Sequence, residues 1–107
     1  MTTFDDREEQ FEKKFAHDAE LRFKAEARRN RLLGEWAAGL LGLKGNEAAN
    51  YLSEIIRADL KQAGPEDVFR KIRADFDAAG VDQSDHQIRR HIDEFMAEAV
   101  RQLRDEG

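Results

Sequence analysis

The chain has 107 residues, of which 38% are charged, and its formal net charge is −5. This length suits one small domain, and the acidic balance argues against a nucleic-acid binder. The absence of cysteine excludes disulfides, a thiolate nucleophile and cysteine-ligated zinc. No apolar run is long enough for a transmembrane helix, and the N-terminus lacks a secretory signal, so we expect a cytoplasmic protein that is not inserted into a membrane.

Residues 1–18 have an unusual composition, with three phenylalanines and no leucine, isoleucine or valine. Phe4, Phe11 and Phe15 follow one another at steps of seven and four residues, which places them on one stripe of a helix. Such a segment can become helical, but alone it buries too little apolar surface to stay folded. We therefore predict a mobile or frayed N-terminal arm that folds against a partner.

Apolar residues at steps of three and four predict helices in the rest of the chain. The first covers about 20–41 and ends at Gly42. The second covers about 46–63, with Asn46 as its N-cap. Its predicted buried face consists of Ala48, Leu52, Ile55, Ile56 and Leu60.

The last two helices are predicted from their ends. A proline at the first helical position and Gly80 as a left-handed end residue predict a helix over about 65–79. Ser84 with Gln87 three residues later is a capping-box pattern, which predicts a helix over about 84–104.

These assignments predict an all-α fold. Residues 19–107 form an antiparallel four-helix bundle, and residues 1–18 form an N-terminal arm. The three connections of the bundle are short, as is typical of such bundles.

No pattern in the sequence indicates catalysis or metal binding. There is no glycine-rich phosphate loop, and His86 and His91 are five residues apart, whereas metal ligands on one helix face favour a spacing of four. Ser84 already has a capping role. We predict no enzymatic activity, no metal site and no required cofactor.

A basic cluster surrounds a single acid, Glu26, in the first helix of the bundle. Its members are Arg22, Lys24, Arg28, Arg29 and Arg31. One interpretation is a solvated face that acids on neighbouring helices balance. The other is a contact for an anion or an acidic partner, such as a weakly bound ADP or ATP, with Phe23 or Trp36 adding a cation–π contact beside the purine.

The phenylalanine stripe of the arm also has two interpretations. The three rings could cap the bundle, or they could anchor a helix in the groove of a partner. We favour the second, because a terminal segment without aliphatic residues has little internal reason to carry three phenylalanines.

Several stretches of the chain resemble a known protein family. They are Phe4-Asp5-Asp6-Arg7-Glu8, Lys14-Phe15-Ala16-His17-Asp18, Phe23-Lys24-Ala25-Glu26-Ala27-Arg28-Arg29-Asn30, Leu32-Leu33-Gly34-Glu35-Trp36-Ala37-Ala38, Glu66-Asp67-Val68-Phe69-Arg70-Lys71 and Ser84-Asp85-His86. Over essentially its full length, the chain resembles the ATPase inhibitor zeta subunit of alphaproteobacterial ATP synthases.

The resemblance implies a four-helix bundle whose mobile arm binds the catalytic head of the F-type ATP synthase and inhibits ATP hydrolysis. It implies a peripheral location on the cytoplasmic side of the inner membrane. For some members of the family it also implies binding of adenine nucleotides, which would give the basic cluster near Arg22–Arg31 a role. The positions that match the inhibitory arm are Phe4, Asp5, Asp6, Arg7, Glu8, Phe11 and Phe15.

Two alternatives to an inhibitor stay open. The chain could be a helical bundle that binds adenine nucleotides and senses the energy state without strong inhibition, or a general helical adaptor with no link to an ATPase. Without the resemblance, the residues predict a helical interaction protein rather than an enzyme.

Overall fold

The computed structural model describes residues 3–61 and 65–106, with side chains over 9–60 and 65–106. Five helices make up most of these residues: α1 (Thr3–His17), α2 (Ala19–Leu40), α3 (Asn46–Lys61), α4 (Pro65–Ala79) and α5 (Asp85–Glu106). No strand occurs in this part of the chain, and no helix in it is long and apolar enough to cross a membrane. The all-α prediction is confirmed.

The predicted number of helices is wrong, because the chain has five helices over the described ranges and not four. The additional helix is α1, in the segment that we expected to be frayed. Its local contacts explain why it is helical: Glu9 and Lys13 form an ion pair one turn apart, and Phe11 stacks on Phe15. Mobility of α1 relative to the rest of the molecule stays a prediction.

The capping patterns predicted at the end of α4 and the start of α5 are present, whereas α5 runs to Glu106, two residues beyond the predicted end. Gly80 has φ of +71°, and the amide of Val81 donates to the carbonyl of Phe76 at 2.9 Å, which together close α4 in a Schellman motif. At the start of α5, the amide of Gln87 donates to Ser84 Oγ at 3.1 Å, and the amide of Ser84 donates to Gln87 Oε1 at 2.8 Å. This reciprocal pair is the predicted capping box.

Helices α2, α3, α4 and α5 surround one core, in which each helix packs against its two neighbours. Helices α2 and α3 run antiparallel, because Arg29 pairs with Asp59 near the end of α3, whereas Gly34, later in α2, lies against Leu52, earlier in α3. The fully buried large side chains come from all four helices: Leu33, Ile55, Val68, Ile72, Phe76 and Ile88. We call these four helices the α2–α5 core. The end predicted for the second helix, at residue 63, falls outside the described residues.

The predicted buried face of α3 is only partly correct. Ile55 is fully buried, but 43% of Ile56 and 65% of Leu60 are exposed. Tyr51, which the apolar pattern did not include, is buried in their place and packs in the core. Since Leu52 lies against Gly34 of α2, the helix is turned so that Tyr51 and Ile55 point inward.

The capping box generates a prediction about stability. Replacing Ser84 with alanine removes the acceptor for the Gln87 amide, so we expect Ser84→Ala to lower the free energy of unfolding by about 1 kcal/mol. Ser53→Ala is the matched control, because Ser53 is exposed and its hydroxyl contacts only the carbonyl of Ala49 one turn earlier. Urea unfolding followed by circular dichroism measures both variants. Equal losses would show that the capping box does not stabilise α5.

Candidate functional site

The arm predicted to bind a partner is helix α1. The rings of Phe11 and Phe15 are stacked, with centroids 6.3 Å apart, and both side chains are half-buried. On the opposite side, Lys13 pairs with Glu9 at 3.7 Å. The remaining predicted arm residues, Phe4, Asp5, Asp6, Arg7 and Glu8, lie in α1 by backbone, and their side chains fall outside the described part.

A single residue, Asp18, separates α1 from α2. Its backbone is extended, with φ of −106° and ψ of 103°, and its side chain accepts a hydrogen bond from the Leu21 amide at 3.1 Å. Asp18 is therefore the N-cap of α2. Arg22 reaches back across the junction and donates to the carbonyl of Ala16 at 3.3 Å. The arm and α2 are thus two helices held by a small number of polar contacts.

Helix α1 extends away from the α2–α5 core. The molecule measures 50 × 25 × 24 Å, whereas a helix of the length of α2 spans about 33 Å. Among the described helices, α1 packs mainly against α2, the helix that follows it in the chain. Its phenylalanine stripe therefore contributes little to the core, whose members all come from residue 33 onward.

The structure does not bring the basic cluster together on one face. Arg29 is buried, and its guanidinium donates to Asp59 of α3 at 3.1 Å and to Asn30 Oδ1 at 2.9 Å. This pair ties α2 to α3, so Arg29 is a structural residue rather than an exposed anion contact. Trp36 is also turned inward, with its ring 5.5 Å from that of Phe76.

Trp36 has a neighbour that the sequence analysis missed. Its ring is stacked on the His91 imidazole, with centroids 4.1 Å apart and planes 14° apart. Nδ1 of His91 lies 2.8 Å from the Gln87 carbonyl, one turn earlier in α5. No spacing in the sequence signals this pair, because its members are on helices that meet only in the folded chain. His91 is therefore a packing residue of the α2–α5 contact.

Three residues of the basic cluster line an open groove between α2 and α5. Lys24, Arg28 and Arg31 share it with Phe23 and Leu32, and the groove has a volume of about 870 Å³. Arg28 forms a bidentate pair with Glu106 of α5, which raises the pKa of Arg28 and lowers that of Glu106 by hydrogen bonding. We call this feature the α2–α5 groove.

The other cations of the groove have weaker partners. Lys24 pairs with Glu20 at 3.6 Å and Arg31 pairs with Glu35 at 3.4 Å, and all four side chains are largely exposed. Such pairs contribute little to stability, so both cations can turn toward an anion. In the described residues, no group of three or more His, Asp or Glu side chains could hold a metal ion.

The different surroundings of the cations predict different effects on stability. Replacing Arg29 with methionine leaves Asp59 and Asn30 without their buried partner, so we expect Arg29→Met to cost about 3 kcal/mol of folding free energy. Arg31→Met is the control, with an expected change within about 0.5 kcal/mol because the side chain is exposed. Urea unfolding measures both, and equal effects would contradict the structural role of Arg29.

Three comparisons with known proteins bear on identity. A search of the curated proteins found no significant match. A protein whose solution NMR structure is known has 44% sequence identity and a TM-score of 0.69, with 81% of this chain and 99% of that chain covered. The family model described as ATPase inhibitor subunit zeta matches residues 1–102, which confirms the resemblance inferred from the sequence. The chain therefore belongs to the ATPase inhibitor subunit zeta family.

Proposed function

We propose that this chain inhibits ATP hydrolysis by the catalytic head of an F-type ATP synthase, and that α1 is the inhibitory segment. The observation that carries the proposal is a helix with an aromatic stripe, Phe11 and Phe15, that extends beyond the α2–α5 core. Membership of an ATPase inhibitor family supports the target. We further propose a cytoplasmic location, peripheral to the inner membrane through the ATP synthase.

In the proposed mechanism, α1 enters a cleft between two catalytic subunits as a helix. Phe11 and Phe15 fill apolar pockets on the cleft wall, as anchors do in other helix-in-groove contacts. The charged side chains around the stripe pair with the walls of the cleft. A helix held there keeps the cleft from closing, and hydrolysis stops because the catalytic site cannot complete its cycle.

The α2–α5 core limits how far the arm can enter. The two shorter dimensions of the molecule are 25 and 24 Å, whereas a single helix with its side chains is about 10–12 Å wide. A cleft that admits α1 therefore excludes the core. Asp18 is the boundary between the part that enters and the part that stays outside.

The arm also keeps inhibition reversible. Fixing α1 in one orientation relative to α2 costs a few kcal/mol of ordering free energy, which is taken from the binding free energy. The affinity is then lower than the size of the contact suggests, so the inhibitor can dissociate.

Removal of the arm tests the proposal. A chain without residues 1–17 keeps Asp18 as the N-cap of α2 and all of the buried core residues. We expect it to fold and to lose inhibition of ATP hydrolysis by the cognate enzyme. Circular dichroism checks the fold, and a steady-state ATPase assay measures inhibition. Full inhibition by the shortened chain would refute the role of α1.

Single substitutions test the aromatic stripe in the complete chain. Phe11→Ala and Phe15→Ala should each raise the half-inhibitory concentration by roughly tenfold or more, because each removes an anchor side chain. Lys13→Ala is the control on the opposite side of α1, where its side chain is exposed. Equal inhibition by all three variants would contradict the anchor role of the phenylalanines.

A second candidate function is weak binding of an adenine nucleotide in the α2–α5 groove. The observation that favours it is the set of three cations beside an exposed aromatic ring: Lys24, Arg28, Arg31 and Phe23. Guanidinium and ammonium groups bind phosphate oxygens, and Phe23 offers a stacking surface. Arg22, Arg29 and Trp36, which we had grouped with these residues, do not line the groove.

A titration with ADP and ATP tests this second candidate. We expect amide shifts on both walls of the groove, around Lys24 to Arg31 and around Leu103, and weaker binding by Arg31→Ala. Arg57→Ala, on the exposed surface of α3, is the control for a general loss of positive charge. An absence of shifts at millimolar nucleotide would rule out the nucleotide site.

A further inference from the structure

Two apolar surfaces of the described chain are only partly covered. One is the aromatic stripe of α1. The other is formed by the exposed side chains of Phe23 on α2 and of Ile56 and Leu60 on α3, which are 62%, 43% and 65% exposed. Side chains of this size are normally buried, and a group of them indicates a contact surface. We call the second surface the outer α2–α3 face.

The packing of α2 against α3 makes the outer α2–α3 face continuous. The Arg29–Asp59 pair and the Leu52–Gly34 contact set the antiparallel register of the two helices. In that register, Leu60 is level with Ala27, one turn after Phe23 in α2, and Ile56, one turn earlier in α3, is level with Arg31. The exposed apolar side chains therefore follow one another at intervals of about one turn, and Phe23 also borders the α2–α5 groove.

The charges on α1 and α2 have matching spacing about the junction at Asp18. In α1, Glu12, Glu8 and Asp5 are separated by four and then three residues; in α2, Lys24, Arg28 and Arg31 are separated by four and then three residues as well. Folding α1 back along α2 would set Glu12 level with Lys24, Glu8 with Arg28 and Asp5 with Arg31. By helical spacing in the sequence alone, these three positions fall on one flank of the stripe that contains Phe11 and Phe15.

We propose that α1 also docks on its own chain, folded back at Asp18 onto the outer α2–α3 face. In this closed state Phe11 lies level with Phe23 and Leu60, and the acidic flank of α1 follows the cations of α2. The extended form and the closed form are two states of the same arm, related by a change at the junction.

The junction permits this change at low cost. Four contacts at the junction are lost when the arm turns back: the bonds of the Asp18 amide to Lys14, of the Arg22 amide to the Asp18 carbonyl, of the Leu21 amide to the Asp18 side chain and of the Arg22 side chain to Ala16. All lie near the surface, where water replaces them. Residues 16–20, centred on Asp18, then serve as the loop of a helical hairpin, which needs only about two to five residues. Because arm and face share one chain, their effective concentration is in the millimolar range.

The closed state would regulate inhibition, and this consequence rests on the proposed function of α1. An arm held on the outer α2–α3 face hides Phe11 and Phe15 from the enzyme. The apparent association constant for the enzyme is then the intrinsic constant multiplied by the fraction of chains whose arm is open. Variants that open the arm should inhibit at lower concentration than the unmodified chain.

A distance measurement tests the closed state directly. The chain contains no cysteine, so spin labels can be attached at Thr3→Cys on α1 and at Ser53→Cys on the exposed surface of α3. In the extended form these positions are separated by roughly 40 Å, from the helical rise of about 1.5 Å per residue. In the closed form position 3 is level with α3 near position 53, within roughly 20 Å, about one to two helix diameters. We expect a short-distance population at low ionic strength that decreases in high salt.

Charge reversal separates the proposed pairing from unspecific collapse. Lys24→Glu should reduce the ratio of closed to open arm by roughly threefold, since an attractive pair becomes repulsive. The double variant Glu12→Lys with Lys24→Glu should restore the ratio. Lys13→Glu is the matched control, because Lys13 lies on the side of α1 opposite to Phe11 and Phe15.

Three outcomes overturn the proposal: a single long distance at low salt, a short distance that Lys24→Glu leaves unchanged, or a short distance only in mixtures of singly labelled chains. The last would assign the face to a second copy of the chain. The ATPase assay distinguishes failure of the two proposals. If no form of the chain inhibits, the proposed function is wrong, whatever the distances between the spin labels. If the chain inhibits while its arm stays extended, only the proposed closed state is wrong.

Discussion

Burial of the α2–α5 core divides this molecule into two parts. The fully buried side chains, among them Leu33, Ile72, Phe76 and Ile88, come from four helices that each contact two others. Residues 1–18 contain none of the leucine, isoleucine or valine of the chain. Because burial of such side chains is the dominant favourable term in folding, we expect the core to form without α1. Helix α1 is therefore available for contacts outside the core.

The charged residues follow the same division. A cation near the core becomes structural: Arg29 is buried between α2 and α3, where removing either partner would leave a charge unpaired. A cation at the surface, such as Lys24 or Arg31, has only a solvated partner one turn away and can exchange it. Within three residues of α2, one arginine, Arg29, holds two helices together, whereas another, Arg31, is exposed and can contact a ligand or a second segment of the chain.

The junction at Asp18 links the two proposals. It ends α1 and caps α2, so that the arm is a separate rigid element joined by a single extended residue. An arm of this kind can be presented to a cleft in another protein or returned to its own chain, and the two contacts would use the same phenylalanines. Competition between the contact of α1 with the enzyme and its contact with its own chain would set the strength of inhibition. The residues that contact the enzyme would not have to change.

The sequence by itself determined the all-α class, the caps at the end of α4 and the start of α5, and the family. The capping box at Ser84 and the glycine at position 80 act over three to five residues, so neighbours in the chain suffice to predict them. Only the tertiary structure decided that Arg29 is buried, that Ile56 and Leu60 are exposed, and that Trp36 stacks on His91. These depend on the rotation of each helix about its axis, which is set by contacts between helices far apart in sequence. The helicity of α1 was underestimated because we judged the segment by the buried apolar surface that it lacks, although its ion pair and ring stack are local contacts.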